Sequence, residues 1–180
     1  IEEDTIEIFS QQDWWACEKL LDRRRIIFRV VGTPAVGMGH IYRALALAHE
    51  LVNYEIIFAT GEQDEVAVKQ LAGYDYDLHV FKQEDIVNGI GKLKPDLVIN
   101  DILNTTAGDV APFVEKGIRV INFEDLGAGA SGADLTINEL YDTPQIEGKN
   151  ILWGRNYFFL RDEFLDACPQ RFNEELASIL

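Results

Sequence analysis

Residues 26–51, IIFRVVGTPAVGMGHIYRALALAHEL, contain the clearest secondary-structure pattern of the chain. This stretch begins with an apolar run, continues through a glycine-rich turn, and ends in a segment whose apolar residues recur every three or four positions. That spacing gives a helix one apolar stripe, which packs against a sheet. The stretch therefore predicts a β-strand, a turn and an α-helix in succession.

Five more apolar runs follow the first, and helix-like segments separate them. The six runs are 26–31, 55–60, 76–81, 96–100, 118–123 and 133–138. This alternation is typical of a parallel sheet with helices on both faces, so we predict an α/β, Rossmann-like fold. Further helices are expected near 62–73, 84–93 and 106–116, and Gly117 is expected to end the last of them.

The two ends of the sequence differ from its middle. Ser10 and Asp13 can form a capping box for a helix. That helix carries Trp14 and Trp15, which need cover from this domain or from a preceding one. Because the sequence lacks an initiator Met and starts in an acidic segment, we expect it to be part of a longer polypeptide. The expected divisions are a linker and helix at 1–25, a Rossmann-like domain at 26–166 and a helix at 167–180 leading towards a further domain.

The charge and composition of the chain argue against several classes of binding partner. The formal net charge is −15 and the sequence pI is about 4.5, so the field of the protein repels nucleic acid and anionic membrane surfaces. Cys17 and Cys168 lie far apart and match no metal-binding spacing, which predicts reduced thiols, a cytoplasmic protein and no metal site. No apolar run approaches the roughly 20 residues that span a bilayer.

The glycine-rich turn fits the two common phosphate-binding motifs poorly. A Walker loop needs Lys and Ser or Thr after its last glycine, and these do not follow Gly37. Gly37 and Gly39 match part of the dinucleotide fingerprint, and Glu62 could bind a ribose, but Tyr42 stands where the third glycine belongs. A nicotinamide or flavin site is the alternative, and we predict no cofactor.

The turn leads instead to a histidine in the first turn of the predicted helix. His40 follows the carboxyl end of the first strand, where open α/β sheets bind ligands. The helix dipole disfavours the imidazolium, and a neutral ring suits a general base. The alternative is that His40 only caps the helix or fills space. Arg43, one turn further, could reach an anionic substrate group, orient the histidine, or be a solvated surface residue; His49 and His79 are expected to be structural.

Several segments resemble one enzyme family. Residues 37–51, GMGHIYRALALAHEL, resemble the Gly-x-Gly-His-x-x-Arg-x-Leu-x-Leu-Ala segment of the UDP-sugar hydrolases of pseudaminic acid biosynthesis and their spore-coat polysaccharide relatives, in the GT-B superfamily. Collinear matches are PDLVINDIL at 95–103, INFEDLG at 121–127, ADLTIN at 133–138 and LWGRNYFFLRDEF at 152–164. The resemblance covers 26–166, the amino-terminal half of such an enzyme. Residues 13–26 resemble the junction that joins a cytidylyltransferase to such a domain.

The resemblance implies that water attacks the anomeric carbon of a UDP-linked sugar, with His40 as the catalytic base. Its site residues would include Gly37 and Gly39 near the sugar or diphosphate. A second, carboxy-terminal domain would supply most contacts to UDP. A GT-B glycosyltransferase half and a non-catalytic nucleotide-sugar binding module remain alternatives. The further substrate-binding candidates are Arg43, Asp101, Asp125 and Asn138.

Each candidate also has a structural interpretation. Asp101 could cap the turn after its strand, and Asn138 could stabilise its own loop. Glu124 and Asp125 face either the cleft or bulk solvent. Arg161 and Glu163 are expected to form an ion pair that fixes the path of the chain, and Ile102 and Leu103 depart from the polar residue and tyrosine usual in the hydrolases.

Overall fold

A seven-stranded parallel sheet forms the centre of the molecule in the computed structural model, which describes residues 7–159. Its strands are β1 Arg25–Val30, β2 Glu55–Gly61, β3 Asp77–Phe81, β4 Leu97–Asp101, β5 Arg119–Phe123, β6 Leu135–Asn138 and β7 Ile151–Trp153. The six predicted strands are confirmed. The seventh was not predicted, because it has only three residues and lies in an aromatic segment without a clear period. The order across the sheet is β3-β2-β1-β4-β5-β6-β7, with every pair parallel.

Two apolar cores lie on opposite faces of this sheet. The helices are α1 Gln11–Leu21, α2 Gly39–Glu50, α3 Glu65–Leu71, α4 Ile86–Lys92 and α5 Ala107–Val114. On one face, Phe28 and Phe58 pack with α2 and α3. On the other, Ile27 and Ile57 pack with α4 and α5. The predicted α/β, Rossmann-like fold with helices on both faces is thus confirmed.

The strand order changes direction at β1. The chain runs from β1 outward to β2 and β3, and then returns to place β4 on the other side of β1. Val30, the last residue of β1, is paired with Asp101, the last residue of β4. Such a switch point leaves a crevice outside the carboxyl ends of the two strands, which is where ligands of α/β proteins bind.

The predicted local signals at the helix ends are present. Gly117 follows α5 with a φ of 75°, a left-handed conformation that suits glycine. Ser10 and Asp13 form the predicted capping box of α1. No residue of α1 is buried, and Trp14 and Trp15 remain 53% and 57% exposed. Residues 7–159 therefore leave both tryptophans without a full cover.

Some sequence predictions lie outside the described residues. These are the helix at 167–180, the Arg161–Glu163 ion pair and the pairing state of Cys168. Within residues 7–159, no helix is long and apolar enough to cross a lipid bilayer.

Candidate functional site

His40 lies in the first turn of α2, directly above the carboxyl end of β1. The whole residue is 8% exposed, and its Nδ1 lies 2.5 Å from Oδ1 of Asp101. An ionised carboxylate can only accept a hydrogen bond, so the tautomer that fits this contact has its proton on Nδ1 and its lone pair on Nε2. No other hydrogen bond to the ring is present among the described residues. His40 and Asp101 thus form the pair that a general base and its orienting acid require.

Asp101 is held between His40 and a guanidinium group. It is 1% exposed at the end of β4. Arg43 donates from Nε to Oδ2 and from Nη2 to Oδ1, each over 2.7 Å. This two-bond geometry fixes the carboxylate and compensates its charge. Asp101 therefore does more than cap the following turn, which was its structural interpretation.

Arg43 connects Asp101 to a second acid. Its Nη1 donates to Oε1 of Glu139 over 2.6 Å, and its guanidinium carbon lies 5.2 Å from the centre of the Phe123 ring. Burial alone would lower the pKa of Arg43, but hydrogen bonds and charges from Asp101 and Glu139 raise it. The side chain is 10% exposed, so the solvated-surface interpretation was wrong. Because the guanidinium is already hydrogen-bonded to two carboxylates, Arg43 is better placed to orient His40 through Asp101 than to bind an anionic substrate group.

Glu124 follows β5 at the same edge of the sheet. It has a φ of 49°, which is unusual for a residue with a side chain. Its Oε1 accepts hydrogen bonds from the backbone N–H groups of Glu139, at 2.7 Å, and Leu140, at 3.3 Å. Its Oε2 is buried and has no hydrogen-bond partner within the described structure. The residue is 7% exposed, which contradicts the solvated interpretation.

The pKa of Glu124 is raised above its usual value. Burial is the largest cause, because it removes water from the ionised carboxylate, and the nearby charge of Glu139 adds to the effect. The two backbone hydrogen bonds and the charge of Arg43 oppose the shift without cancelling it. A carboxyl group of this kind gains from a further hydrogen-bond donor.

These groups border an open cleft of about 510 Å³. Its polar wall contains His40, Arg43, Glu124 and Glu139, and Gly39 lies beside them. The remaining wall is largely apolar and aromatic, with members that include Val36, Leu103, Leu140 and Phe158. The volume lies within the range of small-molecule sites.

The two glycines of the turn have different structural roles. Gly37 has a φ of 83°, and its N–H donates to the carbonyl of Thr33 over 2.8 Å. Gly39 borders the cleft, and a Cβ built on it would meet no atom within 4 Å. The chain therefore needs glycine at position 37 for backbone conformation, whereas position 39 keeps open space beside His40.

The structure does not bring Asp125 and Asn138 to the cleft. Both are 0% exposed. Asp125 accepts hydrogen bonds from Thr105, Asn122 and Gly127, while Asn138 bonds the backbone of Asp125 through both ends of its amide. Their polar atoms are used in holding the loops after β4, β5 and β6, which was the structural interpretation of Asn138. Neither side chain has a surface that could contact a substrate here.

Sequence reasoning missed Glu139. Its Oε1 binds Arg43, and its Oε2 accepts the N–H of Phe159 at 2.9 Å. It follows β6 directly, as Asp101 ends β4 and Glu124 follows β5. Parallel strands end at one edge of a sheet, so three acids at three strand ends were a signal for this cluster.

No group of three or more His, Cys, Asp or Glu side chains within residues 7–159 is arranged to hold a metal ion.

Comparison with known proteins adds one relative. No protein-family model matches the sequence. The chain is 31% identical over 166 residues to Uncharacterized protein MJ1062 of Methanocaldococcus jannaschii, an alignment that covers 83% of this chain and 34% of that protein. The chain thus spans about a third of the length of this relative. Since the relative is itself uncharacterised, the similarity assigns no activity.

Proposed function

We propose that this chain is the amino-terminal part of a GT-B-like enzyme that processes nucleotide sugars. We further propose that the whole enzyme hydrolyses a UDP-linked sugar with His40 as general base. One observation carries the proposal. At the switch point of the sheet, His40, Asp101 and Arg43 form a continuous hydrogen-bonded chain whose histidine borders an open cleft. The family resemblance of residues 26–166 gives the reaction class.

In the proposed hydrolysis, the general base is Nε2, the imidazole nitrogen of His40 that does not contact Asp101. Nε2 of His40 takes a proton from a water molecule as the water oxygen bonds to the anomeric carbon of the sugar. The bond from that carbon to the diphosphate oxygen breaks, and UDP leaves with the electron pair. Asp101 stabilises the imidazolium that forms and holds the ring in position. The imidazolium then returns its proton to solvent.

A second candidate function is glycosyl transfer to an alcohol. In that reaction His40 would deprotonate an acceptor hydroxyl instead of water, with the same leaving group. The apolar side chains of Val36, Leu103 and Leu140 along the cleft favour it, because an apolar acceptor needs such a wall. Release of UDP that requires an added alcohol would select transfer, whereas release in water alone would select hydrolysis.

The test of the general base replaces His40 in the natural gene product that contains this sequence. His40→Gln keeps a polar group beside Asp101 but cannot take up a proton at neutral pH. We expect UDP release from a panel of UDP-sugars to fall by about 10²–10⁴-fold. The measurement is coupled detection of UDP, with thermal melting to show that the variant is folded.

The matched control is His49→Gln, on the same helix. His49 is exposed and contacts the rings of Tyr74 and Tyr76, away from the cleft. We expect this variant to retain wild-type turnover. Full activity of His40→Gln, or the absence of UDP release by the wild type, would reject the proposed function; retained ligand binding without turnover by the wild type would indicate a binding module.

A further inference from the structure

Glu124 borders the cleft, and one of its two carboxyl oxygens has no hydrogen-bond partner among the described residues. The other oxygen, Oε1, is fixed by the N–H groups of Glu139 and Leu140, so the carboxyl group cannot turn freely. Oε2 is consequently held in a defined position, yet it is buried and accepts no hydrogen bond from any of residues 7–159. An unsatisfied buried acceptor costs on the order of 1–3 kcal/mol, so a bound group that donates a hydrogen bond to Oε2 would be stabilised there.

The backbone at Glu124 is shaped to keep that position. A φ of 49° places the residue in the left-handed region, which costs about 1–2 kcal/mol for a residue with a Cβ. The N–H of Glu124 donates to the carbonyl of Ile137 over 2.9 Å, so pairing to β6 maintains the conformation. Strain of this kind concentrates at ligand sites.

The charges around Oε2 define what it can bind. Asp101, Glu124 and Glu139 lie at this edge of the sheet, and Arg43 contacts two of these three acids. Three carboxylates against one guanidinium leave an excess of negative charge. A phosphate group beside Glu124 would be repelled, whereas a group that donates a hydrogen bond would be attracted.

We propose that Oε2 of Glu124 is a ligand-binding position that accepts a hydrogen bond from a hydroxyl or amide N–H on the sugar part of the substrate. The diphosphate lies away from this wall of the cleft. The identity of the ligand as a sugar rests on the proposed function, while the requirement for a donor rests on the unpartnered oxygen alone. Burial raises the pKa of Glu124, which is consistent with an empty acceptor that a ligand would stabilise.

The deciding variant is Glu124→Gln in the natural gene product. Its amide oxygen can still accept the N–H groups of Glu139 and Leu140, while its NH₂ places a donor where Oε2 accepts. We expect the affinity for UDP-N-acetylglucosamine and UDP-glucose, measured by calorimetry, to fall by about tenfold or more. Affinity for UDP alone should change less than about twofold, since no sugar is present. Equal affinity of variant and wild type for the UDP-sugars, or an equal loss for UDP, would overturn the proposal.

Glu84→Gln is the matched control, because it removes the same charge from an exposed position outside the cleft. It should bind all three probes as the wild type does. If Glu124→Gln melts at a lower temperature, the wild type supplies the test through ¹³C-labelled glutamate carboxyl groups. The Glu124 signal should shift on addition of a UDP-sugar and not of UDP. An unmoved signal, or a wild type that binds neither UDP-sugar, also overturns the proposal.

The two proposals fail in different ways. Turnover that depends on His40, together with unchanged sugar affinity in Glu124→Gln, would leave the reaction standing and remove the role of Glu124. Sugar binding that depends on Glu124, together with no UDP release by the wild type, would do the reverse.

Discussion

At the scale of single residues, the position of the His40 ring depends on a partner that is distant in sequence. The carboxylate of Asp101 lies 2.5 Å from Nδ1 and orients the ring. Arg43 holds that carboxylate through two hydrogen bonds. The sequence placed His40 at the start of a helix, but it did not pair the ring with Asp101.

The glycines beside His40 offer a paired prediction. Gly37→Ala should lower the free energy of unfolding by about 1–2 kcal/mol, because its φ of 83° is unfavourable for a residue with a Cβ. Gly39→Ala should leave stability unchanged or raise it by up to about 1 kcal/mol, since alanine favours helices and its Cβ meets no atom. Urea unfolding measures both effects.

For turnover, the same two variants should rank in the order opposite to their stability. Gly39→Ala fills space that we assign to the substrate, so kcat/KM for a UDP-sugar should fall by about tenfold, equivalent to 1.4 kcal/mol. A Gly39→Ala variant with wild-type kcat/KM would show that no ligand occupies that space.

At the scale of elements, the carboxylate of Asp109 connects helix α5 to strand β1 in the centre of the sheet. Oδ2 of Asp109 accepts hydrogen bonds from the N–H and hydroxyl of Thr106, which caps the helix. Its Oδ1 accepts a hydrogen bond from the buried Arg29 of β1 at 2.7 Å. Burial opposes ionisation of Asp109, but these bonds outweigh it and hold its pKa below the usual range of an Asp carboxyl.

This geometry predicts a pH-dependent stability. A carboxyl group whose pKa is lower in the folded state stabilises the fold above its unfolded value, and that contribution is lost as the pH falls through the folded value. Asp109→Asn should therefore cost about 1–3 kcal/mol at pH 7. The difference from wild type should shrink as the pH falls below about 3.9, the pKa of an Asp carboxyl in an unfolded chain. Thermal melting as a function of pH measures it.

A matched variant for that experiment is Asp85→Asn, at the exposed residue before α4 whose side chain makes no capping bond. Its melting temperature should match that of the wild type throughout the pH series. A deficit of Asp109→Asn that stays constant down to pH 3 would contradict the assignment, because the stabilisation would then not depend on the ionised carboxylate.

At the scale of the whole molecule, the cleft is bordered by loops at one edge of a single sheet. The family resemblance implies that a second domain supplies most contacts to UDP. We therefore predict that the 180-residue chain alone releases UDP at less than about 1% of the rate of the natural gene product, since substrate orientation contributes several kcal/mol to catalysis. Side-by-side assays at equal concentration measure this, and comparable rates would contradict it.

The excess of acidic groups also acts at this scale. The net charge of −15 gives the protein a field that repels phosphate backbones, and the acids at the cleft have the same sign. We therefore expect a UDP-sugar, the substrate that we propose, to enter with its diphosphate away from Glu124 and Glu139. This orientation would direct the sugar, not the nucleotide, towards His40.

The sheet could be predicted from the sequence, because buried parallel strands and amphipathic helices have local, periodic patterns of apolar residues. The position of His40 could be predicted as well, since the strand, the turn and the helix are contiguous. Local patterns missed β7, which is too short to show a period.

The acids that lie near that histidine could not be predicted in the same way, because they come from distant parts of the sequence. The contacts of Asp101 with His40 and of Glu139 with Arg43 span 61 and 96 residues of sequence, and they arise from the order in which strands are placed in the sheet. The same order buries Asp125 and Asn138 within their own loops. Adjacent residues such as Glu124 and Asp125 look equivalent in sequence, but the backbone conformation after β5 leads one to the cleft and the other to the interior.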